Sequence, residues 1–100
     1  MSEIEETLKE RGDRYGPFTT HAAITQELKS AVKTDELIDR LFRSVEAEEH
    51  TYEEAMAVME SIDMICHKLG RIANGDPYYA DSWVDIEGYA RLITKMLEEK

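Results

Sequence analysis

One hundred residues make one domain, 1–100, and a chain this short buries only roughly two thirds of its unfolded surface, so a homo-oligomer is expected as a way to extend a limited core. The 22 acidic against 12 basic residues, a net charge of −10, argue against a general binder of nucleic acid or anionic membrane, because phosphate contacts need clustered Lys and Arg. Metal binding, acidic mimicry of nucleic acid and plain solubility stay open.

Ser2 followed by Glu5 reads as a capping box, with Ile4, Leu8 and Tyr15 on one face of a short first helix that Gly12 and Gly16-Pro17 bring to an end. The segment Glu10 to Phe18, ERGDRYGPF, crowds two glycines, a proline and two aromatics together, more punctuation than a connector needs, and suggests a loop with its own job. Thr20 is expected to cap a second helix near 20–33, and Thr34 a third near 35–44 carrying Leu37, Ile38, Leu41 and Phe42. The run EAEEH at 46–50 reads as a solvated connector.

Thr51 and Glu54 form a second capping box for a long helix that runs to about Ala73, where Asn74-Gly75-Asp76-Pro77 stops it. At 100° per residue, Ala55, Val58, Met59, Ile62, Ile65, Cys66, Leu69, Ile72 and Ala73 share its core face. The opposite side mixes Glu60, Asp63, His67 and Arg71 with Met56 and Met64, so this helix is expected to be covered on both sides, by a ligand or by another subunit. Ser82 with Asp85, or Asp81 alone, would cap a last helix to about Leu97. Its core face is Trp83, Ile86, Tyr89, Ala90, Ile93 and Leu97, beside a stripe of Asp81, Asp85, Gly88 and Leu92 where the glycine would admit a close approach. The expectation is an all-α fold, a small helical bundle built on a long antiparallel helix pair. With one cysteine, no apolar N-terminal run and nothing near the roughly 18 apolar residues of a membrane span, the chain reads as cytoplasmic, unexported and free of membrane.

Two constellations carry candidate chemistry. Glu60 and Asp63 on one helix, with Asp81 and Asp85 on the next, are paired carboxylates of the kind that hold Mg²⁺. Capping or ion pairing explains the same residues, and hairpin register cuts against a four-carboxylate cage. If the turn is centred near Pro77, Asp85 lies level with residue 69 and Asp63 about 9 Å further along. That register brings Lys68 and Arg71 near Asp81 and Asp85, so an ion-pair cluster is equally economical. The second constellation is basic and aromatic: Lys68 and Arg71, with Arg11 and Arg14, as phosphate partners, and Tyr15, Tyr78, Tyr79 and Trp83 as stacking surfaces, although aromatics at helical spacing are more often core. His67 lies four residues after Asp63, a spacing that lets a carboxylate orient an imidazole or lets both bind metal, although a lone His beside an acid is usually a surface or packing pair, while His21 and His50 stand isolated and Cys66 lacks a partner for nucleophilic chemistry.

The blocks ERGDRYGPF and HKLGRIANGDPYYADSWVDIEGYARL, with the helix between them, resemble a family of short, largely uncharacterised bacteriophage proteins. Their order also looks like phage nucleotide-modification-associated domains and, more remotely, is similar to the MazG-like all-α nucleoside triphosphate pyrophosphohydrolases. That resemblance implies a nucleotide ligand and Mg²⁺ as cofactor. Glu60, Asp63, Asp81 and Asp85 would be metal ligands and Asp63 and Asp85 catalytic, while Arg14, Tyr15, Lys68, Arg71 and Tyr79 would bind substrate. The first pair has Asp where the family has Glu, and the second starts with Asp and is spaced by four rather than three. Three readings follow: hydrolysis of a (deoxy)nucleoside triphosphate; binding that sequesters a nucleotide or a host defence signal; and acidic imitation of nucleic acid.

Overall fold

The computed structural model describes residues 2–99. They form five helices and no strand: α1 (Glu3–Tyr15), α2 (Phe18–Val32), α3 (Asp35–Glu46), α4 (Tyr52–Asn74) and α5 (Ala80–Glu98). The fold is all-α, and none of these helices is long and apolar enough to cross a membrane. α4 packs most extensively on α2 and α5 and also meets α1 and α3.

Three expected caps form. The Ser2 side chain accepts from the Glu5 amide, Thr34 accepts from the Leu37 amide, and Thr51 and Glu54 complete a reciprocal box that satisfies two otherwise orphaned donors. Elsewhere the boundaries move. Gly12 does not end α1, because a glycine costs an exposed helix only about 1 kcal/mol; the helix continues to Tyr15, and Gly16 and Pro17 alone separate it from α2. The expected loop at Glu10 to Phe18 is thus mostly helix with a two-residue elbow. α2 starts at Phe18 behind Pro17, whose φ of −60° is preset for a helix entry, and not at Thr20. α5 starts at Ala80 behind Tyr79 with no side-chain cap. Ser82 is buried inside it instead of capping it.

Burial falls on small residues. Ala55, Ser61, Cys66 and Gly70 are the buried positions of α4, against His21 and Thr25 of α2 and Ser82 of α5. The larger residues of the expected α4 core face are half-buried, and Ala73 is exposed. Helices approach closely where side chains are small, and longer neighbours then flank the contact. Gly70 marks such a place: a Cβ there would collide with Thr25 Oγ1 and stand 3.0 Å from the His21 ring. The coverage of α4 on two sides comes from α2 and α5 of the same chain. Gly88, by contrast, has nothing within 4 Å of where its Cβ would be.

The molecule is elongated, 55 × 27 × 24 Å, with a radius of gyration of 16.4 Å, where a compact 100-residue chain has about 13 Å. Part of the length is α1, which touches α2 and α4 sparsely and leaves Ile4 and Leu8 exposed.

Substituting Gly70→Ala is expected to destabilise the fold by up to about 2 kcal/mol. An overpacking cost of roughly 1–3 kcal/mol is offset by about 1 kcal/mol of helix propensity. Denaturant unfolding measures it, and adding Thr25→Ala should recover part of the loss by vacating the space the new methyl needs.

Candidate functional site

The α1–α2 elbow is clasped to the turn between α4 and α5. Gly16, at φ 77°, occupies the left-handed region that favours glycine, and a Cβ there would strike the Asn74 carbonyl. Gly75 in turn lies against the backbone of Arg14 and Tyr15. Asn74 Nδ2 donates to the carbonyls of Tyr15 at 2.8 Å and Pro17 at 2.9 Å, and the Asp76 amide donates to the Arg14 carbonyl at 2.6 Å. These bonds tie two segments about sixty residues apart into one unit.

Four of the five expected substrate-binding residues meet on that clasp. The Arg71 guanidinium lies 4.2 Å from the Tyr15 ring centroid. Tyr15 meets Tyr79 edge-on at 6.2 Å, and Arg14 lies 5.0 Å from the centre of the Tyr79 ring. Cation–π attraction favours this alternation. Tyr79 also donates its hydroxyl to Asp81 at 3.0 Å, and this bond is the main reason its pKa is raised. Among the described residues, neither Arg14 nor Arg71 has a carboxylate within ion-pairing distance. Tyr78 is exposed beside the cluster, and Trp83 donates through Nε1 to the Pro77 carbonyl at 2.8 Å.

The fifth, Lys68, is elsewhere: its ammonium pairs with Asp85 at 2.9 Å, from α4 to α5. Asp63 is held by Lys33 and, at 3.7 Å, by Lys29. Its Oδ1 is withdrawn from water and receives no well-directed hydrogen bond, so the two ammonium groups balance it by charge. Glu60 is exposed on α4. The carboxylates expected to gather around Mg²⁺ are therefore engaged separately: Asp63 toward α2, Asp85 by Lys68, and Asp81 by Tyr79. Among the described residues no group of three or more His, Cys, Asp or Glu side chains is placed to hold a metal ion. Asp63 and Asp85, the expected catalytic pair, bind different cations. The physical reason is that Lys29 of α2 and Lys33 at its C-terminal cap take up Asp63, while Lys68 takes up Asp85.

His67 does not pair with Asp63. Its ring meets that of His21 at 4.7 Å, edge to face, and His21 Nε2 donates to the His67 carbonyl at 3.1 Å beside Thr25 Oγ1 at 3.3 Å. His21, which looks isolated in sequence, is thus a buried fixture between α2 and α4. The signal that reveals it is helical phase, since His21, Thr25 and Lys29 share one stripe of α2. Cys66 is buried and its pKa is raised, first by burial and then by Asp63, which suits a packing residue better than a nucleophile.

A comparison with protein-family models, curated proteins and solved structures finds no match to this chain.

Burial, and then the positive charges of Arg71, any proton on His21, Lys68 and Lys29, push the His67 pKa down to about 4 from 6.5. The unfolded chain therefore binds a proton that the folded chain refuses between those values, and stability falls as pH falls from about 6.5 toward 4. Melting temperature measured across that range should decline, and His67→Gln should flatten part of the slope; an unchanged slope would refute the assignment.

Proposed function

We propose that this protein binds nucleotides at the elbow clasp, with Arg14 and Arg71 as phosphate partners and Tyr15 and Tyr79 as the apolar wall beside them. The observation that carries the reading is two arginines brought together over tyrosine rings, neither with a carboxylate within ion-pairing distance among the described residues, in a chain of net charge −10. Each guanidinium lies over a tyrosine ring, and the planar fork of arginine suits bidentate contact with phosphate. The resemblance of the two sequence blocks to phage nucleotide-modification proteins supports the same ligand class and points to a phage-encoded protein of the host cytoplasm.

Binding without hydrolysis is favoured over Mg²⁺-dependent cleavage of a nucleoside triphosphate. Glu60, Asp63, Asp81 and Asp85 do not fit a metal cage, since three of them already serve other partners. Sequestration of a nucleotide or of a host defence signal is the role such a site suits. Within this reading α4 and α5 form a long antiparallel pair, supported by the Lys68–Asp85 bridge, whose midpoint falls at the turn. The protein acts as a homo-oligomer.

Thermal shift with nucleoside mono-, di- and triphosphates and cyclic dinucleotides tests the proposal, because a ligand of the folded state raises the melting temperature by mass action. At least one nucleotide should do so without Mg²⁺. Arg14→Lys and Arg71→Lys, which keep the charge but lose the planar fork, should each weaken binding about tenfold, the scale of one charge-assisted hydrogen bond. No shift with any nucleotide sinks the reading. Release of pyrophosphate that needs Mg²⁺ and is lost in Asp85→Asn establishes the hydrolase in its place.

A further inference from the structure

α5 presents two neighbouring stripes, one turned toward α4 and the other only partly covered. Asp85, bridged to Lys68 of α4, shares its face with buried Ser82 and half-buried Tyr89 and Met96. Beside it run Trp83, Ile86, Ala90, Ile93 and Leu97, spaced three, four, three and four residues apart. That alternation is the a/d seam of a coiled coil, sustained over about 21 Å of helix. Its large end residues are uncovered: Trp83 and Leu97 are each 51% exposed. Ala90 between them is exposed, and Ile86 and Ile93 are half-buried.

We propose that this stripe is a dimer interface whose occupant is α5 of a second copy of the chain. The spacing specifies a helix as the covering element, because knobs at alternating three and four residues fill the holes of another helix and match neither a strand nor a loop. The choice of a second copy follows from the core. No large side chain among the described residues is fully buried, and the radius of gyration of 16.4 Å exceeds the roughly 13 Å of a compact chain this long. A fold so poor in buried bulk gains stability from a partner, and the one helix always present at matching concentration is its own. Ala90 at the middle of the stripe lets the two helices close on each other, with larger residues toward both ends. The outer flank carries Glu87 and Arg91, which leaves a charged rim beside an apolar seam.

The interface takes up the homo-oligomer of the reading above and is independent of the ligand. Light scattering on the full chain should give twice the 11.5 kDa of one copy, and Leu97→Glu should shift it to one copy with helical circular dichroism retained. Ala90→Cys should be linked into a covalent dimer by a short bismaleimide, since the two new thiols lie within about one helical turn whichever way the helices run; Gly88→Cys, on the far side of α5, should not be. Trp83, the one tryptophan, should shift its emission to longer wavelength when the dimer separates. A native chain with the mass of one copy overturns both the interface and the oligomer. A native dimer in which Ala90→Cys fails to link, or links no faster than Gly88→Cys, overturns the interface alone, and that result holds even where Leu97→Glu fails to fold.

Discussion

The close approach of α2 to α4 at Gly70 is the constraint on which the rest of this structure depends. Because no Cβ stands between them, Thr25 and His21 can sit against the α4 backbone, and the His21 ring can donate to the His67 carbonyl. That seating carries α2 along α4 in one register, which brings Lys29 and Lys33 onto Asp63 and sets Gly16 against Asn74 at the other end. A larger residue at position 70 would lift α2 and loosen all of these together. The helix pair is thus specified by small and polar residues, which give geometry, more than by apolar bulk, which gives most of the free energy of folding in ordinary domains.

Much of the helical layout was legible in the sequence, because local chemistry decides it. Ser2, Thr34 and Thr51 cap where their hydroxyls reach an orphan amide three residues on, a relation contained within four residues. The breaks at Gly16-Pro17 and Gly75-Asp76-Pro77 are local in the same sense. What was not legible depends on distant partners. Gly12 reads as punctuation and is helical; Ser82 reads as a cap and is buried. Gly70 and Ser61 carry no hydrophobic signal, yet they mark where α4 is most closely covered. An amphipathic pattern finds the large residues around a contact and misses the small ones at its centre.

The candidate site divides along the same line. Arg14, Tyr15, Arg71 and Tyr79 belong together because two glycine-containing turns cross, and the presence of those turns near those residues is visible in the chain. The carboxylates are different. Motif spacing says which acids share a helix face and nothing about the cations that neighbouring helices bring to them. Asp63 is claimed by lysines from α2, an element the acidic motif does not include. A carboxylate in such a pair carries a desolvation cost that its cations offset, so recruiting it to a metal would leave two ammonium groups facing a less polar interior. Arg14 and Arg71, which lie over half-buried tyrosine rings, carry no such ion pair among the described residues.

The three readings drawn from the sequence make different demands on charge. Imitation of nucleic acid needs an acidic surface and is indifferent to where the basic residues lie. Hydrolysis through a metal needs acids gathered and unpaired. Binding of a phosphate needs cations unpaired, in a place where the surrounding excess of acid does not cancel them. Lys29, Lys33 and Lys68 are engaged with Asp63 and Asp85, whereas Arg14 and Arg71 lie over tyrosine rings. The elbow clasp thus gathers two guanidinium groups over tyrosine rings in a chain with 22 acidic residues. The same clasp lies at the end of α4 from which α5 departs, so the exposed seam of α5 begins at Trp83, whose indole is bonded to the turn itself. That indole bond joins the first turn of α5 to the turn on which Tyr79 stands.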